Sequence, residues 1–297
     1  MIKDAVFELL NVPRRGMLSE GPCWDVARQR LLWIDILGHQ VHSADLDGAD
    51  LRTWQMPSEI GFAVPDADGG IVLGLRAGLA RLDPSSGAIT HGSLLETRPD
   101  HRINDGKVDR AGRLWFGTMH EPETEPSASL YRADYRGIVE VFGGVITSNG
   151  LGWSPDDRVM YHTDSGRHLI SAFDFDAAAG TLSNRRVFAQ TPPDYVPDGM
   201  TVDADGCIWS ACWNGHRLIR YAPDGRALLE LHFPVARITS CAFAGPNLDV
   251  LVVTSARDPD RDEPLAGRVF LLDVGVTGLP EAPVAPAAVS AIPACQA

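Results

Sequence analysis

The sequence predicts an all-β fold, a six-bladed β-propeller closed by an N-terminal strand. A short apolar segment, often carrying Trp and preceded by an Asp/Gly turn, recurs six times along the 297 residues. Successive copies are separated by about 40–50 residues, which is typical of one propeller blade per repeat. The equivalent positions are Trp33, Val72, Trp115, Met160, Trp209 and Leu251.

Each repeat begins with the strand that we expect nearest the channel, as in residues 61–64 and 150–153. An Asp- and Gly-rich turn follows, for example at 66–69 and 203–206. Such residues tolerate the positive φ angles of tight hairpins. The recurring apolar segment is therefore the second strand of each blade.

The third strand alternates polar and apolar residues, as a half-buried strand should. Its copies are 40–46, 79–83, 129–134, 169–174, 217–221 and 268–273. Outer strands are predicted at 51–54, 88–91, 139–142, 186–189 and 227–230. The sixth repeat has no outer strand downstream, so residues 5–10 are expected to supply it and close the ring.

The repeats predict one propeller domain over residues 1–276 and an Ala/Pro-rich tail over 277–297. The composition of this tail predicts that it is at least partly disordered.

The net charge and the cysteines indicate which partners and which cellular location to expect. A net charge of −13 disfavours nucleic acid and anionic membranes as partners. The first ten residues lack the apolar core of a signal peptide, and no apolar run approaches a membrane span of about 20 residues. We expect a cytoplasmic protein, a monomer or weak homo-oligomer, with reduced thiols. The cysteines are Cys23, Cys207, Cys212, Cys241 and Cys295.

Polar residues that precede Gly at the start of the inner strands are the candidate site. Glu20, Asn149 and Asp198 come from three different repeats and would meet at one end of the channel. Each alone has an ordinary explanation, since Asn-Gly and Asp-Gly are common turn dipeptides. Together they form an oxygen-only set suited to a hard divalent cation.

Other catalytic patterns are absent from the sequence. The nine histidines show no zinc-protease spacing, although His101 and His120 are kept as candidate channel-lining donors. No Gly-x-Ser-x-Gly elbow or Gly-rich phosphate loop occurs, which disfavours a serine hydrolase or a nucleotide enzyme.

Ordered motifs resemble the senescence marker protein/gluconolactonase/luciferin-regenerating, or regucalcin-like, family, and most of all its bacterial sugar lactonases. The motifs lie at 19–24, 102–109, 117–119, 148–154 and 197–200, and the resemblance runs from about Glu20 to Asp258. It implies a six-bladed propeller with one catalytic divalent cation at the channel mouth.

The resemblance also implies roles for individual residues. Glu20, Asn149 and Asp198 match the metal-ligand positions, whereas Arg102 and Asn104 match substrate-binding positions. Glu121 lies near a further acidic substrate contact of the family. Asp198 is the candidate general base, and Glu20 or a hydroxide on the metal are the alternatives.

The predicted activity is metal-dependent hydrolysis of a sugar lactone to its aldonic acid. The substrate would be a 1,4- or 1,5-lactone such as xylono-, arabino- or gluconolactone. Ca²⁺ is the expected cofactor, and Zn²⁺, Mn²⁺, Mg²⁺ and Fe²⁺ are alternatives. Two other functions stay open, a metal-dependent hydrolase of another ester or an organophosphate, and a calcium-binding propeller without turnover.

Overall fold

Six antiparallel sheets surround a central channel in the computed structural model, which describes residues 1–95 and 98–289 of the chain. In each blade the strands follow one another from the channel outward. The inner strand of every blade contacts the inner strands of both neighbouring blades, so the ring is closed. The predicted six-bladed propeller is confirmed.

The strands have the following bounds. Before the blades come β1 (Ile2–Asp4) and β2 (Glu8–Leu9). Blade one comprises β3 (Ser19–Asp25), β4 (Arg30–Asp35), β5 (Gln40–Ala44) and β6 (Arg52–Gln55), and blade two β7 (Ile60–Pro65), β8 (Ile71–Leu75), β9 (Gly78–Leu82) and β10 (Ile89–Leu94). Blade three comprises β11 (His101–Val108), β12 (Leu114–His120), β13 (Ala128–Asp134) and β14 (Gly137–Val145).

Blade four comprises β15 (Ser148–Trp153), β16 (Val159–Asp164), β17 (Leu169–Asp176) and β18 (Thr181–Gln190), and blade five β19 (Val196–Val202), β20 (Ile208–Trp213), β21 (Arg217–Tyr221) and β22 (Ala227–His232). Blade six comprises β23 (Arg237–Ala244), β24 (Val250–Ala256) and β25 (Phe270–Asp273). A short 3₁₀ helix (Ser165–Arg167) follows β16, and α1 (Pro286–Val289) lies near the C-terminus. Within the described ranges no helix is long and apolar enough to cross a membrane.

The N-terminus closes the ring as predicted. Strand β2 pairs antiparallel with β25 and becomes the outer strand of blade six, with Glu8 opposite Leu271. Strand β1 adds to blade five, where it runs parallel to β22. This second pairing was not predicted, because the short segment has no pattern of its own. The two strands join the first residues of the chain to the last two blades.

The Asp of the inner hairpin explains why the turn and the Trp recur together. The indole Nε1 of Trp115 donates to Asp109 Oδ2 at 2.9 Å, and that of Trp209 donates to Asp203 Oδ2 at 2.9 Å. The same carboxylates accept backbone N–H groups of their own turns. A buried indole needs such a partner. The conspicuous Trp residues therefore belong to the frame of the blades.

Every inner strand carries a register shift near its start, which in blades one, four and five is where Glu20, Asn149 and Asp198 lie. Because a β-bulge bends a strand and re-aims its side chains, the six shifts direct these residues toward one end of the channel. They fall at Glu20/Cys23, Ile60/Phe62, Ile103/Asp105, Asn149/Leu151, Pro197/Met200 and Ile238/Cys241.

The C-terminal segment crosses the hairpin end of the channel. Its carbonyls at Thr277 and Val284 accept from Ala204 and Ala67 at 2.9 and 3.0 Å, and Val284 is fully buried. Disorder was expected for part of the tail. Its described part, 277–289, is packed, with Val284 and Ala288 buried against the propeller. The rest of the tail, including Cys295, lies outside the described residues.

A charged pair fixes this segment to the channel. Glu281 Oε1 lies 2.8 Å from Nζ of Lys107 on β11, and burial leaves both side chains less than one-fifth exposed. We expect Glu281→Gln to lower the free energy of unfolding by about 1–3 kcal/mol, because the Lys107 charge would lose its carboxylate partner. Urea unfolding measures this. The exposed Glu8→Gln is the matched control, and equal effects of the two variants would contradict the assigned role of the pair.

Candidate active site

A cavity of about 380 Å³ lies at the end of the channel where the inner strands begin. It is lined from blades one, three, four and five. The structure brings together five of the six predicted site residues on its wall, namely Glu20, Arg102, Asn104, Asn149 and Asp198.

Asn149 and Asp198 are in direct contact. Both side chains are buried, and the amide Nδ2 of Asn149 donates to Asp198 Oδ1. Gly150 allows this contact, because a Cβ at that position would lie 2.6 Å from the backbone oxygen of Asp198. The glycine lets β15 and β19 approach closely, which is the usual reason for Gly inside a strand.

Glu20 reaches the same cavity from blade one. Its Oε2 accepts from Gly21 N–H at 2.5 Å, and Gly21 has a φ of +51°, a conformation that favours glycine. Removal from water, followed by repulsion from Asp198 and Asp105, holds the pKa of Glu20 well above its usual value. Removal from water and the charge of Asp105 also raise the pKa of Asp198.

Asp105 is a third carboxylate of the channel that the sequence-based assignment did not include. Its Oδ1 accepts from Gly106 N–H at 2.7 Å, and removal from water raises its pKa to about 6. The signal was present, since Asp105 precedes Gly106 as Asp198 precedes Gly199.

These residues fit a hard divalent cation. Three carboxylates repel one another in a poorly hydrated channel, and a cation would relieve that repulsion. Two carboxylates and an amide oxygen are suitable donors. Among residues 1–95 and 98–289 no cluster of three or more His, Cys, Asp or Glu side chains could hold a metal, so the proposed set depends on Asn149. The Asn149 amide must rotate to point its oxygen at the cation, because its Nδ2 faces Asp198 in this structure.

The three channel carboxylates make the metal-free protein sensitive to pH. A carboxyl with a raised pKa stabilises the fold below its unfolded value, and that stability is lost as pH rises through the folded value. For Asp105 the window runs from its usual 3.8 to about 6. In chelator, we expect Asp105→Asn to gain stability over wild type across this window and to keep a constant advantage above it. Urea unfolding at a series of pH values tests this, and a difference independent of pH would contradict it.

Arg102 and Asn104 lie on the blade-three side of the cavity. The Arg102 Nη1 donates to the Ile103 carbonyl at 3.1 Å, and Asn104 Nδ2 donates to the Ser148 carbonyl at 2.9 Å. Removal from water lowers the pKa of Arg102, which nearby Glu121 partly counters. The two side chains place a guanidinium and an amide on the cavity wall.

Glu121 lies beside the cavity and is absent from its wall. Its carboxylate accepts from Arg76 Nη1 at 3.0 Å and lies 3.8 Å from Arg102 Nε. Glu123 lines the cavity instead and accepts from Thr147 Oγ1 at 2.7 Å. Substrate contact by Glu121 stays a prediction. The sequence pattern did not reveal Glu123, because the loop between β12 and β13 follows no strand periodicity.

His101 and His120 support that loop and do not line the cavity. Both rings contact Asp100, His101 Nδ1 at 2.8 Å and His120 Nε2 at 3.2 Å. The other ring nitrogen of His120, Nδ1, accepts from Glu125 N–H at 3.1 Å, and His101 Nε2 lies 3.0 Å from Ser127 Oγ. The histidines therefore hold the loop that carries Glu123, a role that their scattered positions in the sequence did not show.

The fold and the site define a class, a six-bladed propeller with an acidic, oxygen-rich cavity at one end of its channel. The profile of the SMP-30/Gluconolactonase/LRE-like region matches residues 18–257. The chain belongs to this family, as the motifs indicated, and membership supports lactone hydrolysis as the general reaction.

Named relatives span almost the whole chain. A 6-deoxy-6-sulfogluconolactonase of Pseudomonas putida is 37% identical over 285 residues, covering 91% of this chain and 96% of the relative. Regucalcin of Danio rerio is 35% identical and covers 91% and 95%. The crystal structure of a calcium-binding regucalcin from Agrobacterium tumefaciens superposes with a TM-score of 0.90 at 27% identity, covering 95% of this chain and 98% of that one.

Proposed function

We propose that this protein hydrolyses a sugar lactone, an aldono-1,4- or 1,5-lactone, to the aldonic acid with the help of one divalent cation. The observation that carries the proposal is the convergence of Glu20, Asn149 and Asp198 in one cavity with Arg102 and Asn104. Carboxylates alone would suit a protein that only binds a cation. The added guanidinium and amide provide for a polar organic substrate.

Glu20, Asn149 and Asp198 would hold the cation. When bound, it acts as a Lewis acid that polarises the lactone carbonyl and stabilises the negative charge formed there. Ca²⁺ is the ion we expect, because the donors are all oxygens and the Agrobacterium relative is described as calcium-binding. Zn²⁺, Mn²⁺, Mg²⁺ and Fe²⁺ are the alternatives for the same donors.

Asp198 is the proposed general base. Its carboxylate lines the cavity beside the other proposed ligands, so it can reach a water that attacks a carbonyl held there. It takes a proton from the attacking water as the new carbon–oxygen bond forms. The ring carbon–oxygen bond then breaks, and its oxygen is protonated as the hydroxyl of the open acid. Glu20 is the alternative base, since it faces the same cavity.

Arg102 and Asn104 would bind the sugar hydroxyls and fix the direction in which the lactone carbonyl points. Holding a reactant in one orientation lowers the barrier without any further chemistry. Glu121, which lies outside the cavity wall, would help to position Arg102, because its carboxylate oxygen is 3.8 Å from Arg102 Nε. The charge of −13 agrees with a small neutral substrate and with neither nucleic acid nor membrane as a partner. A cytoplasmic protein is proposed because the cysteines among the described residues are free thiols, and a monomer or weak homo-oligomer is the assembly we expect.

Acid release from glucono-, xylono- and arabinonolactone, set against an acyclic ester and an organophosphate ester, tests the substrate class. We expect turnover of at least one sugar lactone to exceed that of both other esters in kcat/KM. Faster turnover of the acyclic ester or the organophosphate would overturn the sugar-lactone assignment. No turnover of any of them would leave a calcium-binding propeller.

A further inference from the structure

The cavity has a polar side and an apolar side. Outside the candidate ligands, blades three and four contribute mainly polar groups, including Arg102, Asn104 and Thr147. Blades five and one, which flank blade six on the other side of the ring, contribute Leu18, Ile36, Val196 and Trp213. Met119 on blade three and Asn214 on blade five are the exceptions.

The apolar wall of blade one is held rigidly. The buried carboxylate of Asp35 accepts the backbone N–H groups of Met17 and Leu18, each at 2.9 Å, and that of Gly38 at 3.0 Å. The Ile36 N–H donates to the Leu18 carbonyl at 3.0 Å. Leu18 and Ile36 therefore keep their positions, and with their backbones so paired they present hydrocarbon to the cavity.

The wall of blade five is equally well supported. The guanidinium of Arg237 lies over the Trp213 ring, 4.7 Å from its centroid, and is itself paired with Asp258 at 3.0 Å. A stacked cation in an ion pair fixes an indole in place. Trp213 is thus a firm apolar surface on the edge of the cavity.

We propose that the same site also hydrolyses γ- and δ-lactones whose ring carries an alkyl chain, with the chain on the side of blades one and five. This inference rests on the proposed lactone hydrolysis. The hydroxyls of a sugar lactone would find no hydrogen-bond partner on Leu18, Ile36 or Val196, whereas methylene groups would gain by leaving water. Water adds to the carbonyl carbon and the ring carbon–oxygen bond breaks, which gives a 4- or 5-hydroxycarboxylate and one proton without any co-reactant.

A series of δ-lactones from valerolactone to decalactone tests the proposal on the Ca²⁺-loaded protein. We expect kcat/KM to rise by up to about fourfold for each added methylene until the chain covers Leu18 and Ile36. Two variants, Ile36→Thr and Leu18→Ser, are expected to lower the ratio of kcat/KM for decalactone to that for gluconolactone by about tenfold. The ratio is insensitive to a general loss of folded protein.

Val139→Thr on the outer strand β14 is the control, and it should leave this ratio at the wild-type value. A kcat/KM that is flat or falls with chain length, while gluconolactone is hydrolysed, overturns this inference alone. An unchanged ratio in both wall variants overturns it as well. Failure to hydrolyse any lactone overturns the proposed function and this inference with it.

Discussion

Replacing Asp198 with Asn is expected to lower kcat/KM for the best sugar lactone by about 1,000-fold, because the variant loses both a metal ligand and the proposed base. The buried contact with Asn149 leaves little room for another group to take its place. The neutral amide is similar in shape, so the fold should persist. Initial rates of acid release, at a Ca²⁺ concentration that saturates the wild-type protein, measure the effect.

Asp194→Asn is the matched control for this change. Asp194 is exposed and lies four positions earlier in the chain, in the loop that leads into β19. The control should retain wild-type turnover. Activity of Asp198→Asn within about tenfold of wild type would rule out Asp198 as the base, since general base catalysis contributes more than that.

Glu20→Gln should change stability in opposite directions with and without metal. In the metal-free protein, removal from water and repulsion from Asp198 and Asp105 raise the pKa of Glu20, so a neutral side chain should stabilise the fold near pH 8. The loss of a charged ligand should weaken divalent-cation binding by about 100-fold or more. Thermal unfolding in chelator and in Ca²⁺ measures both effects.

Each of the two expectations for Glu20→Gln can be contradicted by its own result. A variant that binds Ca²⁺ as tightly as wild type would remove Glu20 from the ligand set. A metal-free variant less stable than wild type would show that the Glu20 charge has a stabilising partner in the channel. Glu8→Gln, at an exposed position on β2, serves again as the control.

Much of the architecture follows from the sequence because each blade repeats the same local chemistry. The turn Asp accepts both its own backbone N–H groups and, in blades three and five, the indole N–H of the next strand. Alternation of polar and apolar residues then sets the third strand. The parallel pairing of β1 with β22 could not be predicted, because it depends on backbone hydrogen bonds between segments more than 220 residues apart.

The candidate metal ligands were predictable because they follow the repeat, whereas Arg102 was predicted from the family motifs alone. Glu20, Asn149 and Asp198 occupy the same place in three blades, and the bulges found there explain why their side chains meet. Glu123 depends on a loop held by the contacts of His101 and His120 with Asp100. Such contacts between irregular segments leave no periodic trace in a sequence.

The apolar wall of the cavity could not be predicted from the sequence for a related reason. Leu18 and Ile36 look like ordinary strand-end residues, and only the hydrogen bonds of Asp35 show that they form one rigid surface. The packed C-terminal segment is similar. Its Ala/Pro composition indicated disorder, but the buried Val284 and the partner of Glu281 become visible only in the folded channel.

The central claim is that one divalent cation held by Glu20, Asn149 and Asp198 is required for lactone hydrolysis. The most direct test titrates Ca²⁺ into metal-stripped protein while binding and acid release from gluconolactone are followed together. We predict one ion per chain, with turnover rising in proportion to occupancy and no such binding in Asp198→Asn. Full turnover in the stripped protein, or tight binding that Asp198→Asn leaves unchanged, would contradict the claim.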